Sequence, residues 1–139
     1  MSNAILYDTA IYIDNFRSAP ALEKYQLSNH QNKLRFSSVV FSELLRGCHT
    51  SKDRSEVLDM IDDVRSSTVT PTSLHWIQTG KLLSCLIEGK KLSKHQLQSL
   101  QNDILIGFCA AHVGATLVTK DRDFKALEKI LGIRCVYWD

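Results

Sequence analysis

Five carboxylates in this sequence stand where a carboxylate fits poorly. Asp8 follows the apolar run Ile5-Leu6-Tyr7, and Glu43 interrupts Val39-Val40-Phe41 and Leu44-Leu45. Asp103 precedes Ile104-Leu105-Ile106-Gly107-Phe108-Cys109-Ala110-Ala111, while Asp121 and Asp123 follow Ala115-Thr116-Leu117-Val118-Thr119. An isolated charge against buried surface costs several kcal/mol or more, so acids persist there when paired or when they hold a cation. Four segments each delivering such an acid imply one shared site. Carboxylates packed together repel, and without a counterion some would keep their protons. Mg²⁺ or Mn²⁺ relieves that conflict, since both prefer oxygen ligands. One or two such ions can activate a water and stabilise the charge that develops as a phosphodiester is cleaved.

Each acid also has an ordinary explanation. Asp8 or Asp123 could cap a helix, and Glu43 could pair with Arg46 one turn on. Asp14 reads as solvated or paired. Basic residues lie near the acids as well: Lys90, Lys91, Lys94 and His95 precede the Asp103 helix, and Lys120 and Arg122 flank the last acids. These could neutralise a phosphate backbone and would make binding salt-dependent. For Lys90 and Lys91 a solvated loop explains as much; Lys120 and Arg122, set among the acids, are the stronger candidates. The histidines His30, His49, His75, His95 and His112 have no metal-motif spacing. Cys48, Cys85, Cys109 and Cys135 show no Cys-x-x-Cys pair and read as reduced, mostly buried thiols. No Walker-type glycine loop and no Gly-x-Ser-x-Gly elbow is present, which leaves nucleotide-triphosphate and acyl-transfer chemistry without support.

The elements that must position the acids alternate between strand and helix. Ile5-Leu6-Tyr7 reads as a buried strand and Leu34-Arg35-Phe36-Ser37 as a weaker one. Ser38 is placed to cap a helix through Arg46, stopped by Gly47 in the left-handed C′ conformation. A helix opens at Ser51, with Val57, Ile61 and Val64 at helical spacing and Glu56, Asp59, Asp62 and Asp63 solvated. Thr68-Val69-Thr70 is briefly extended before Pro71. Trp76, Gly80, Leu83 and Ile87 form one stripe of a long helix ending near Gly89. Ser93 and Gln96 have capping-box spacing for a helix from Lys94, though its start could lie nearer Asp103. The stretch Ile104 to Val113 is apolar almost all round, as in a helix buried mid-domain. Ala115 to Thr119 is a strand, Asp123 to Leu131 a helix and Arg134 to Trp138 a final strand. Short apolar strands separated by helices predict an α/β fold with a parallel sheet covered on both faces. In such sheets the ligand site lies beyond the carboxyl ends of the strands, where Asp8 and Asp121 fall.

A chain of 139 residues is expected to form one domain, residues 1–139, with a core of two or three layers. With 44% hydrophobic and 23% charged residues it is an ordinary globular composition, which argues against disorder. The net charge of +2 is too small to select a partner. The longest apolar stretch is too short to span a membrane, and no basic-then-apolar leader precedes the first strand, so a cytoplasmic location is expected.

Taken together, Leu6-Tyr7-Asp8-Thr9, Ser42-Glu43-Leu44-Leu45-Arg46-Gly47, Asn102-Asp103-Ile104-Leu105-Ile106 with Ala110-Ala111, and Leu117-Val118-Thr119-Lys120-Asp121-Arg122-Asp123-Phe124 resemble the successive motifs of PIN-domain proteins. The likeness is to the VapC-type toxins of bacterial toxin–antitoxin pairs and covers essentially the whole chain. It implies a three-layer α/β/α sandwich around a parallel sheet and a Mg²⁺- or Mn²⁺-dependent endoribonuclease. Its implied partners are an RNA substrate, a cognate antitoxin whose tail enters the active-site groove, and a second copy in a homodimer. Carried over, Asp8, Glu43 and Asp103 match the most regular acids, with Asp8, Asp103 and Asp121 as metal ligands. The fourth acid stays open between Asp121 and Asp123, since the family's stretch places more residues between these positions than the single Arg122 here. Asp121 is nearer the strand end, which favours it as a ligand and leaves Asp123 an indirect role or a helix cap. Thr9 matches a position near the metal site and is grouped with Lys120, Arg122 and Lys94 as RNA-facing. Ala10 stands where the family often has Asn.

Other classes fit less well. A receiver-type signalling domain needs a phosphoacceptor Asp after a central strand, which Ser37-Ser38 and Thr70-Pro71 do not offer. A haloacid-dehalogenase-type phosphatase needs Asp-x-Asp-x-Thr, and Asp121-Arg122-Asp123-Phe124-Lys125 lacks the Thr. A non-catalytic PIN-like binding module for RNA or protein is the remaining alternative; loss of an acid would favour it, and every segment has kept its acid.

Overall fold

The computed structural model describes residues 4–17 and 33–138. His30 and the side chain of Asp14 lie outside the described residues. In chain order the elements are β1 (Ala4–Tyr7), α1 (Thr9–Arg17), β2 (Lys33–Ser37), α2 (Ser38–Arg46), α3 (Ser51–Asp63), a 3₁₀ turn (Arg65–Ser67) and β3 (Thr68–Val69). They continue with α4 (Ser73–Leu86), α5 (Lys94–His112), β4 (Thr116–Thr119), α6 (Phe124–Leu131) and β5 (Arg134–Tyr137). The strands form one sheet in the order β3-β2-β1-β4-β5, and every neighbouring pair is parallel. Ala4, Ile5, Leu6 and Tyr7 are all buried, although alternate side chains of a strand point to opposite faces. Both faces of β1 are therefore covered by helices, as the unbroken apolar run predicts.

The strand order reverses at β1. The chain leaves β1 toward β2 on one side and returns to β4 on the other. Adjacent loops consequently diverge between the carboxyl ends of β1 and β4, which opens a crevice there. Asp8 closes β1 on that edge, and its backbone N–H donates to Val118 O of β4 at 2.9 Å. The second half of α5 lies against the sheet, with Ile104, Leu105, Ile106 and Cys109 buried. Gly107 lets α5 approach α6, because a Cβ there would meet Leu131 Cδ1.

Helix starts follow local capping chemistry. Ser93 and Gln96 form the capping box expected of them, and Thr72 with His75 forms another at the head of α4. Three expectations shift. The hydroxyl that caps α2 belongs to Ser37, whose Oγ accepts from Val39 N–H at 3.1 Å, while Ser38 donates to Thr70 Oγ1. Gly47 ends α2 with φ −81° and ψ −7°, a right-handed conformation open to any residue. The stripe from Trp76 to Ile87 is buried only in part: Leu83 and Ile87 are half-buried, whereas Trp76 is 51% exposed and Thr79 is buried instead. The half-buried His75, Leu82, Leu83 and Leu86 face inward, an arc rotated from the stripe by about one residue. Of the cysteines, Cys109 is buried and Cys85 exposed, with Cys48 and Cys135 between.

The left-handed glycine cap does exist, at the end of α6, where Gly132 adopts φ 66° and ψ 35°. A side chain there strains the backbone by about 1–2 kcal/mol. We expect Gly132→Ala to lower the melting temperature by several degrees. Gly47→Ala should leave it unchanged or raise it slightly, because a Cβ at Gly47 would make only ordinary contacts and would restrict the unfolded chain. Equal losses in the two variants would contradict this assignment.

Candidate active site

Asp8 is 6% exposed, and both its carboxylate oxygens accept hydrogen bonds. Oδ1 accepts from Thr9 N–H at 2.7 Å, and Oδ2 accepts from the Thr119 hydroxyl at 2.7 Å. Burial pushes the Asp8 carboxyl up to about 6 against the pull of those two donors, with the Glu43 and Asp121 charges adding to the rise. Its side chain is thus directed into the crevice by the chain ends of β1 and β4 together.

Glu43 arrives from α2. The Thr9 hydroxyl donates to Glu43 Oε1 at 2.6 Å, and Asn102 Nδ2 donates to Oε2 at 3.3 Å. Gln98 Nε2 in turn donates to Asn102 Oδ1 at 3.2 Å, which fixes the amide of the buried Asn102. Glu43 is therefore aimed at Asp8 and away from Arg46. Thr9 spends its N–H on one acid and its hydroxyl on the other, a coupling made possible by its place at the first turn of α1.

Asp103 projects from α5, next in the chain after Asn102. Its carboxyl is pushed up to about 8, mainly by burial and then by the charges of Asp8, Asp121, Glu43 and Asp123. The charges of the other four acids singled out in the sequence therefore all reach Asp103. Asp121 is half-buried; its N–H donates to Thr119 Oγ1 at 3.0 Å, and its Oδ1 accepts from Asp123 N–H at 2.9 Å. Asp123 is exposed and already helical at φ −63° and ψ −22°, and its side chain caps nothing. The capping role open to Asp123 is thus filled by Asp121, which closes the turn ahead of α6.

Thr119 and Asn102 carry no signal in the sequence beyond their place beside the acids. Thr119 is fully buried and touches three parts of the site: its hydroxyl donates to Asp8 and accepts from Asp121 N–H, and its carbonyl accepts from Trp138 N–H at 2.8 Å. The basic residues spread more widely. Lys120 and Arg122 flank Asp121 and are exposed, whereas Lys94 begins α5, roughly 13 Å along the helix from Asp103. A groove of about 410 Å³ leads from Asp103 and Asp123 past Leu100, Leu127 and Leu92 to His95 and Lys90. A second, of about 520 Å³, leads from Glu43 between Ile13, Leu44, Asp53, Glu56 and Val57.

The donor set suits a hard divalent cation. It is all oxygen, partly buried, and carries more negative charge than its own hydrogen bonds offset. Among the described residues no three acid, imidazole or thiol groups form a ready-made cage. Mg²⁺ does not require one, since it usually keeps several waters and takes only one or two carboxylates.

The chain belongs to the PIN-domain family, whose profile matches residues 5–130. A search of curated proteins found no match. Among solved structures, VapBC2 from Rickettsia felis, bound to a DNA fragment from their promoter, superposes with a TM-score of 0.65 at 23% identity, covering 98% of this chain and 99% of that one. VapBC-1 from nontypeable Haemophilus influenzae gives 0.61 at 19% identity, covering 97% and 98%. VapBC-5 from Mycobacterium tuberculosis, a member of the VapBC family of toxin–antitoxin systems, gives 0.57 at 18% identity, covering 98% and 99%. At these identities the likeness is one of fold, and it bears out the parallel α/β architecture. Among the described residues no helix is long and apolar enough to cross a membrane.

The crowded acids make stability depend on pH. Folded-state values of about 6 for Asp8 and about 8 for Asp103 lie above the ordinary 3.8, so the folded protein binds more protons than the unfolded chain between these limits. Their contribution is complete below about pH 4 and is lost as pH rises through about 6 and then about 8. In EDTA the melting temperature should fall between pH 5 and pH 8.5 by more than about 5 °C. Mn²⁺ should restore it at pH 8 and do little at pH 5, where protons occupy Asp8 and Asp103. Asp103→Asn should flatten the upper part of the curve; a metal-free profile already flat in wild type would refute the crowding.

Proposed function

We propose that this protein is a Mg²⁺- or Mn²⁺-dependent endoribonuclease that acts as the toxin of a toxin–antitoxin pair, its single domain spanning the chain. The observation that carries the reading is the convergence of Asp8, Glu43, Asp103 and Asp121, from four separate segments, on the crevice between β1 and β4. Asp8, Asp103 and Asp121 would hold the cation between them, one or two directly and the remainder through its waters. When bound, it supplies Lewis-acid stabilisation of charge on the phosphodiester and activates the attacking water. Asp103 must give up its proton to serve as a ligand, because ligands bind deprotonated. Glu43, held by Thr9 and Asn102, is oriented toward the same space and can accept a proton from water there. Lys120 and Arg122, on the rim, would meet the phosphates of the RNA, with Lys94 as a further contact; Thr9, expected to face the RNA, spends both its donors on Asp8 and Glu43 and serves to position them.

The partner assignments rest on the solved neighbours named above, which are VapBC structures. By that likeness a cognate antitoxin would occupy the site when the toxin is silent. The second copy of a homodimer would need an apolar surface, and the exposed Leu74 and Ile77 beside Trp76 on α4 supply one.

Purified protein with Mn²⁺ is expected to cut single-stranded RNA. Asp8→Asn and Asp103→Asn should each lower the rate by at least about a hundredfold, more than loss of an outer partner usually costs. Both variants should fold, and expression of wild type but not of either variant should arrest growth. Unimpaired cleavage by either would remove the mechanism, and a wild type that binds RNA without cutting it would make the protein a binding module.

The pair after β4 separates cleanly. Asp121→Asn should lose more activity than Asp123→Asn at saturating Mn²⁺, and Asp123→Asn should leave the melting temperature unchanged because that side chain caps nothing. A larger activity loss in the Asp123 variant would reverse the ligand assignment.

A further inference from the structure

Residues 120–125 read Lys-Asp-Arg-Asp-Phe-Lys, so cations alternate with the acids of the site. Each cation lies over an aromatic ring of the adjacent edge strand or of the residue after it. Lys120 Nζ is 5.9 Å from the centroid of the Trp138 ring, Arg122 Cζ is 5.4 Å from that of Tyr137, and Lys125 Nζ is 5.4 Å from the same Tyr137 ring. All three fall within the range at which a ring face attracts a cation. The rings themselves are registered to the acids. Tyr137 pairs with Thr119 across β4 and β5, and Trp138 N–H donates to Thr119 O, the residue whose hydroxyl holds Asp8.

The geometry points to Tyr137 and Trp138 as positioning residues for RNA: their rings hold Lys120, Arg122 and Lys125 as a cationic rim that takes backbone phosphates beside the acids. This rests on the ribonuclease reading. Long cationic side chains lose rotamer freedom when they grip a phosphate, and a ring that has already ordered them reduces that loss. The rim also solves an electrostatic problem. An acid cluster repels a polyanion, so approach along this edge needs cations fixed near the acids. Lys120, Arg122 and Lys125 are all exposed, and β5 is the last strand of the sheet, so the rim faces solvent. Lys125, Tyr137 and Trp138 thereby join the site, although none lies in its acid motifs.

The test is binding of a fluorescein-labelled single-stranded RNA in EDTA, by anisotropy over a range of KCl concentrations, beside steady-state cleavage with Mn²⁺. Trp138→Leu and Tyr137→Leu should each weaken binding by about three- to tenfold, as expected for a displaced cation. Each should also reduce the magnitude of the salt slope by about 0.7 for every phosphate left without its cation. In cleavage, KM should rise by a similar factor while kcat stays near wild type. Trp138→Tyr and Tyr137→Phe keep a ring and should rescue both readouts. Trp138→Leu combined with Lys120→Gln should bind no worse than Lys120→Gln alone, because the ring acts through that cation. If the leucine variants melt early, Lys120→Gln and Lys125→Gln, at exposed positions, should show the same loss in binding with an unchanged melting temperature. Unaltered RNA affinity in these variants, or additive effects in the double variant, would overturn the rim while leaving cleavage by wild type intact. A wild type that neither binds nor cuts RNA would overturn both readings.

Discussion

The buried Asp8 carboxylate, tied at once to Thr9 and Thr119, is the contact on which the site depends. Its backbone joins β1 to β4 through Val118, and its side chain joins the start of α1 to the end of β4. Thr119 then passes the same constraint outward, to the turn at Asp121 and to Trp138 beyond β5. A threonine suits this position because its hydroxyl can donate to a carboxylate and accept from an N–H simultaneously. Valine, nearly its isostere, would leave Asp8 and the Asp121 N–H each short of one bond.

A cluster of like charges in a half-dry crevice works against folding, and the arrangement around it limits that cost. Glu43 has a donor on each oxygen, Asp8 likewise, and Asp121 closes a turn with one of its own. Asp103 shows the largest rise among the acids, and its causes include every other acid in the cluster. The carboxylate with the largest rise thus stands on α5, directly before the buried run Ile104, Leu105, Ile106 and Gly107. Burial and like charge work against ionisation at this one residue, and a divalent cation, if bound as proposed, would offset both.

The rim of the site carries the opposite sign. Alternation of acid and base after β4 works because the turn there sends successive side chains to different sides, Asp121 inward and its basic neighbours toward the rings of Tyr137 and Trp138. The cations stay near the acids in sequence and are drawn to the edge strand in space. A negative centre beside a positive edge is the distribution expected of a protein that must hold a cation and a polyanion together.

Much of this was legible in the residues. Apolar strand runs such as Ile5-Leu6-Tyr7, alternating with helices, point to a covered parallel sheet, because crossover helices cover both faces of its strands. The Ser93–Gln96 box sets the start of α5 through local hydrogen bonds, and acids abutting apolar runs reveal themselves by their solvation cost. What depended on contacts distant in sequence could not be read. Whether a glycine ends a helix left-handed depends on the path of the chain beyond it, which is why Gly132 does so and Gly47 does not. The inward face of α4 was set by α5 packing against it and not by the Trp76 stripe, since intrinsic hydrophobicity does not say which side finds a partner. Thr119, Asn102 and the Tyr137–Trp138 pair are ordinary residue types whose roles arise from pairing across 111 positions in the case of Thr119 and Asp8. The sequence by itself determined which charges the fold had to shelter; the tertiary structure decided which neighbours would hold them, because only folding brings donors from distant segments within hydrogen-bonding range.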